Sequence, residues 1–382
     1  MNLNKYNYWF KKFSNEKKNY NLKNNLDLTI VIFSYQRPEC IIKSAAYWNN
    51  KPVKILFIDG SDKILNKNSR NIIKKIQNIS YFHLPYKSIP QRINFGINKS
   101  KTKYTMCQGD DDFYLFSGLI EAVKKLEKRK NIIACMGQSL GLDFINKKPY
   151  LFDYGKNLIN YTVKGKNFYE RLNLAFRNYL PAAFCAVFRT KDLKNLWVNI
   201  QTISCQELYE YEHAFRTYLE GSLITTKKKY WIRSFQLKPK SGKIDGDRKL
   251  TFSKWLKSDK FKIERESLVR RLSMIVQDKG SFSKQDSKNL IHKTFNLIKN
   301  NKNSLYKNNS FIFSCLIILK KILERSFFSK YLNKFKKTIY GVYFIERINY
   351  LNRKRLTSLK DLSKTEINDI ENLLKFLKDC PI

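Results

Sequence analysis

Three adjacent carboxylates, Asp110, Asp111 and Asp112, follow a short apolar run, Tyr104–Cys107. Like charges this close raise one another's pKa unless a cation joins them. Carboxylate oxygens are the hard ligands that Mn²⁺ or Mg²⁺ prefers, and such ions keep positions open for substrate phosphates. In an extended backbone Asp110 and Asp112 would share a face as metal ligands, with Asp111 turned elsewhere, towards a ribose. The competing use is an acidic turn capping the helix that starts near Ser117.

Three other groups of residues have chemical reach. Asp59 ends a second apolar run, where a carboxylate accepts from a nucleobase N–H or a ribose hydroxyl; Asp59-Gly60 is equally an ordinary Asx turn. Arg92 and Asn94 lie in QRINFGIN, ahead of the aspartates. Arginine there can pair with a diphosphate, or be a solvated charge. Glu207, Glu210 and Glu212 lie in QELYEYEHAFR, where a carboxylate can act as a general base. Their plainer reading is a charged helix face, with Arg216 four residues after Glu212.

The elements that must position these groups alternate. Buried strands are expected at Leu28–Phe33, Val53–Ile58, Ile79–Leu84, Tyr104–Cys107 and Asn131–Met136. Helices are expected at Glu39–Trp48, Asn66–Gln77, Pro90–Asn98 and Ser117–Arg129. This order predicts an α/β fold with a mostly parallel sheet flanked by helices, whose ligands bind beyond the carboxyl ends of the strands. Asp59 and the three aspartates both fall at such ends.

Further along, helices are expected at Asn167–Arg177, Leu193–Trp197 and Glu207–Glu220, the last closed by Gly221 as its C′ residue. Strands are expected at Ala182–Phe188, Leu223–Thr226 and Tyr230–Ile232. After about Leu250 only basic helical patterns persist, in Trp255–Phe261, Leu268–Val276, Leu290–Ile298, Phe311–Leu323 and Ile367–Leu377. The predicted organisation is a polar extension (1–25), an α/β domain (26–240) and a basic helical C-terminal region (250–382), with a linker at Asn300–Asn309.

These elements together resemble glycosyltransferase family 2, with its GT-A fold. The likeness rests on LTIVIFSYQRP, FIDGSD, QRINFGI and YTMCQGDDDF, in the family's order and spacing. It covers Leu26 to Phe144 well and continues weakly to Phe235. The resemblance implies metal-dependent, inverting transfer of a hexosyl-type sugar from a nucleotide-diphosphate sugar to a glycan or lipid-linked acceptor, in surface polysaccharide synthesis. By position it places Ser34 and Tyr35 at the nucleoside and Asp59 at the base. Asp110 and Asp111 would hold ribose and sugar hydroxyls, and Asp112 the metal, which completes a DxD motif. Several motifs depart from the family pattern. Asp-Asp-Gly-Ser is reduced to Asp59-Gly60-Ser61, Arg92 stands one place early before Ile93-Asn94-Phe95-Gly96-Ile97, and the Glu-Asp base motif is not intact. Counting back from Arg216 and Gly221 assigns the base to Glu210, with Glu207 as the second choice.

Composition sets the remaining bounds. Lys and Arg total 74 against 32 acids, a formal charge of +42, which asks for an anionic partner. A codon bias that enriches Lys, Asn and Ile accounts for part of it. A nucleic-acid-binding protein is the first alternative, but no zinc finger or RNP-like sequence appears, and no nucleic acid is expected. A nucleotidyltransferase would need a Gly-rich loop that SYQRPEC lacks. A non-catalytic member of the same fold is the third alternative. The basic C-terminal half predicts peripheral association with an anionic inner leaflet. Seven Cys without C-x-x-C pairs and three scattered His predict reduced thiols and no His-based metal site. The N-terminal segment has no signal-peptide core, and FIFSCLIIL (311–319) is too short to span a bilayer, so a cytoplasmic location is expected.

Overall fold

The computed structural model describes residues 26–145, 148–154, 158, 160–177, 179–201, 203–235, 243–280, 282–301 and 362–379. Strands β1 (Leu28–Ser34), β2 (Lys54–Asp59), β3 (Ile79–His83) and β4 (Tyr104–Gly109) pair in parallel in the order β3-β2-β1-β4. Leu28, Ile30, Val31 and Ile32 are all fully buried, as a strand covered on both faces requires. The crossovers are α1 (Pro38–Trp48), α2 (Lys67–Lys74) and α3 (Ile89–Lys99). Gly96 lets α3 lie close on β1: a Cβ there would stand 2.3 Å from Val31 Cγ1. The register sets Ser34 beside Asp59 and Phe33 beside Gly109, so the strand ends that carry the candidate residues meet at one edge.

Beyond β4 the sheet becomes mixed. Its order continues through β8 (Val187–Arg189), β6 (Ile132–Ile145), β9 (Ser222–Ser234) and β5 (Phe113–Tyr114), and β7 (Lys148–Asp153) folds back on β6. β8 is antiparallel to β4 and β6, whereas β9 runs parallel to β6. Helices α4 (Phe116–Lys128), α5 (Phe168–Arg177), α6 (Thr190–Trp197) and α7 (Glu207–Glu220) complete the flanking layers.

Three local expectations are corrected. The segment expected as one strand over Ala182–Phe188 is a 3-10 turn, Pro181–Cys185, before the three residues of β8. Pro181 fixes its own φ and supplies no ladder donor, which favours the turn. The two strands expected at Leu223–Thr226 and Tyr230–Ile232 are one continuous β9, with register shifts where Lys229 meets Gln138. Gly221 ends α7 in extended backbone, not as a left-handed C′ residue. It is needed there for space, since a Cβ would meet Ile133 Cβ at 3.0 Å.

The basic C-terminal region supplies α8 (Phe252–Lys257), α9 (Lys262–Gln277), α10 (Lys284–Asn301) and α11 (Lys364–Asp379). They are bound to the sheet layers. Glu212 of α7 is fully buried and pairs with Arg216 at 2.5 Å and with Arg271 of α9 at 2.6 Å. Tyr211 of α7 shares a 2.7 Å hydrogen bond with Thr294 of α10. On α11, Asp369 accepts from the Ser117 amide at 2.7 Å and Glu366 from the Lys229 amide at 2.8 Å. The extension 1–25, the apolar Phe311–Leu323 stretch and all but the first two residues of the Asn300–Asn309 linker lie outside the described residues. Among the described residues five cysteines are buried and unpaired with one another, and no helix is long and apolar enough to cross a membrane.

Candidate active site

β4 ends at Gly109 and the chain turns through Asp110 and Asp111. That turn breaks the alternation expected of an extended segment, and the carboxylates point to different partners. Asp110 is buried. Its Oδ2 accepts from Ser34 Oγ at 2.6 Å and its Oδ1 lies 3.1 Å from Arg37 Nη1. Asp111 accepts from the same Arg37 nitrogen at 2.8 Å. Asp112 is held from the opposite side: Oδ2 accepts from Trp231 Nε1 at 3.0 Å and Oδ1 from the Ser234 amide at 3.1 Å. Gln108 Nε2 donates to the Asp112 carbonyl at 2.7 Å and fixes the turn.

Burial raises the pKa of Asp110 to about 7, with Asp111 adding to it while Arg37 and Ser34 oppose. Asp112 is likewise pushed up to about 7, by burial and then by Asp111, against the bonds from Ser234 and Trp231. Burial works against the charge of Arg37, but Asp110 and Asp111 outweigh it and hold the guanidinium ionised above its ordinary range. Arg37 closes no ion pair with Asp112, and the positive charge that acts on Asp112 is that of Arg233.

Mn²⁺ or Mg²⁺ can be tested against this donor set. Each Asp112 oxygen accepts one hydrogen bond and keeps a further lone pair. Such a carboxylate fits the role of single protein ligand to an ion that draws its other oxygens from a diphosphate and water. Asp110 does not join it, because its Oδ1 is paired with the Arg37 guanidinium, whose charge repels a cation. Among the described residues no three His, Cys, Asp or Glu side chains are grouped to hold a metal.

The Asp59 loop closes against the same edge. Gly60 N donates to the Ser34 carbonyl at 2.9 Å. Asp59 is buried and satisfied internally, its Oδ1 accepting from the Ser61 amide and hydroxyl and its Oδ2 from Tyr81 at 2.7 Å. The Asx turn with Gly60 and Ser61 is thus realised. Arg92 is 1% exposed. It donates to the Ser34 carbonyl at 2.5 Å, pairs with both Asp245 oxygens at 3.1 Å, and lies 5.8 Å from the half-buried Tyr35 ring. The guanidinium packs directly under Gly60, where a Cβ would stand 2.6 Å from it. Arg92 braces the floor of the site; it is not an open anion receptor. Asn94 points along α3 and accepts from Asn98 at 3.2 Å near solvent.

The three glutamates separate by role. Glu212 is the buried centre of the Arg216 and Arg271 pairs. Glu207 is exposed and accepts from the Phe252 amide at the start of α8, at 3.0 Å. Glu210 is half-buried, with a long 3.4 Å bond from Tyr209. Burial, then Glu207, raises its pKa to about 7 against Arg233 and Arg248. Arg233 feels both Asp112 and Glu210, so the acidic turn and α7 approach one guanidinium.

Arg37, Trp231, Ser234 and Arg233 escaped the reading of the sequence. Arg37 had a visible signal, a basic residue in the turn directly after β1. The last three stand on the part of β9 whose pattern the Lys227–Lys229 run interrupts.

A parallel β3-β2-β1-β4 sheet flanked by helices, with its acidic residues at the carboxyl edge, is a GT-A-type α/β fold. Residues 29–197 match the family model described as Glycosyl transferase family 2, the family that the sequence motifs resemble. In structure it is similar to S. aureus TarS 1–349 in complex with UDP-GlcNAc, with a TM-score of 0.49 at 11% identity over 92% of this chain and 89% of that one. A second structure of S. aureus TarS 1–349 gives a TM-score of 0.48 at 10% identity, with the same coverage of each chain. No curated protein matches by sequence.

Proposed function

We propose that the chain transfers a sugar, with inversion, from a nucleotide-diphosphate sugar to a hydroxyl of a glycan or lipid-linked acceptor. The observation that carries this reading is the anchoring of Asp112, at the end of the parallel sheet, to Trp231 and Ser234 of β9, which flank an Arg233 that feels both Asp112 and Glu210. Glu210, raised to about 7, is matched to general-base work near neutral pH. It takes the proton of the acceptor hydroxyl as that oxygen bonds to the anomeric carbon. The bond from this carbon to the diphosphate breaks on the opposite face, and its electron pair leaves with the nucleotide. Ser34, Tyr35 and the Asp59 loop border the nucleoside, while Asp110 and Asp111, fixed by Arg37, face ribose and sugar hydroxyls. When bound, Mn²⁺ or Mg²⁺ supplies Lewis-acid neutralisation of the leaving diphosphate, with Asp112 as its carboxylate ligand.

Peripheral attachment to an anionic membrane face and a role in surface polysaccharide synthesis complete the proposal, supported by the charge of +42. The test is turnover of UDP-, GDP- and dTDP-sugars with Mn²⁺ or Mg²⁺. Asp112→Asn is expected to remove turnover of the accepted donor while the protein still melts cooperatively. Undiminished transfer by that variant would overturn the site.

A further inference from the structure

Arg233 stands on β9 two residues beyond Trp231, so both side chains share one face of the strand. The Trp231 indole donates to Asp112, which identifies that face as the one turned to the acidic turn. The guanidinium is half-buried and boxed by rings. Its Cζ lies 5.3 Å from the Tyr154 ring centroid, 5.6 Å from Trp231 and 5.8 Å from Phe235. Ring contacts restrain a guanidinium through its faces and leave its N–H edge unused.

Among the described residues that edge donates no hydrogen bond and closes no ion pair, although Asp112 and Glu210 are both within electrostatic reach. Arg37 and Arg92 differ in just this respect. Arg37 is spent on Asp110 and Asp111, and Arg92 on Asp245 and the Ser34 carbonyl. A restrained, partly desolvated fork of five unused donors is built to meet an anion that accepts from two of them at once. Asp112 is not that anion: among the described residues no ion pair joins it to Arg233, its carboxylate being turned to Trp231 and the Ser234 amide.

We infer that Arg233 grips the diphosphate of the donor, donating to its distal phosphate through departure of the sugar. The assignment rests on the transfer reading above. As the bond from the anomeric carbon to the distal phosphate oxygen breaks, the electron pair stays on that oxygen and the guanidinium neutralises it. The proton given up by the acceptor hydroxyl goes to Glu210, so no other reactant is needed.

Calorimetric titration of the full chain with UDP and UMP, GDP and GMP, and dTDP and dTMP tests this, in Mg²⁺ and again in EDTA to separate the cation's share. One diphosphate is expected to bind about tenfold to a hundredfold more tightly than its monophosphate, the range of charge-assisted hydrogen bonds. Arg233→Gln is expected to erase most of that preference and to lower kcat with the matching sugar nucleotide about 10²- to 10³-fold. If the Gln variant does not melt cooperatively, Arg233→Met, which keeps an apolar stem in the ring box, reads the same ratio. A folded variant that keeps the full diphosphate preference overturns the role of Arg233 and leaves the transfer reading standing. A wild-type chain that binds none of these nucleotides overturns both.

Discussion

Replacing Glu210 by Gln should separate catalysis from stability, because the two move in opposite directions. Burial takes this carboxyl from an ordinary 4.5 to about 7. A raised acid pKa favours the protonated folded state, so the stability it contributes is complete below about pH 4.5 and is lost as pH rises through about 7. At ~1.36 kcal/mol per decade, the accumulated cost is about 1 kcal/mol at pH 5 and about 3 kcal/mol at pH 8. Glutamine never ionises and escapes it. Urea melts should therefore show Glu210→Gln gaining up to about 3 kcal/mol at pH 8 and about a third of that at pH 5. Transfer, measured with saturating donor and Mg²⁺, should fall about 10²- to 10⁴-fold. The wild-type kcat should rise tenfold per pH unit up to about 7 and then level, and that limb should be missing from the variant. A variant less stable at pH 8 than wild type, or one with wild-type transfer, would refute the reasoning and direct attention to Glu207.

Glu212→Ala leaves the buried Arg216 and the half-buried Arg271 without their shared partner, and should cost about 3–5 kcal/mol in urea melts; an unchanged midpoint would contradict the triad. Gly96→Ala drives a methyl to 2.3 Å from Val31 Cγ1 and should cost about 1–3 kcal/mol, with Val31→Ala restoring most of it. Liposomes rich in anionic lipid should carry the full chain upward in flotation at low ionic strength and release it as salt is raised; no flotation at low salt would end the membrane proposal.

The parallel half of the sheet was legible because β1, β2 and β4 are buried on both faces and so read as unbroken apolar runs. Asp59 and the aspartates could be placed at strand ends for that reason. What the pattern could not convey is where a strand stops. Asp110 and Asp111 belong to a turn, and that rotation decides which carboxylate meets Arg37 and which meets Trp231. β9 was hidden by its three lysines: Lys228 is paired with Glu366 of α11, a partner 138 positions away that no local window contains. Arg92 was legible as a chemically potent residue but not as a structural one, because Asp245 lies 153 positions downstream. Glu207, Glu210 and Glu212 occupy one short stretch of helix, and only the packing of α8 and α9 tells them apart.

The hydrogen bond from the Ser117 amide to Asp369 spans 252 residues. A ribosome adding ~5–20 residues per second needs roughly 13 to 50 s to cover that distance. For that interval the helix that follows the acidic turn has an open first turn, and the Lys229 amide on β9 lacks Glu366. The nascent sheet must survive with its β5–β9 margin uncovered, which makes that margin the natural place for a chaperone to act and for truncated chains to associate.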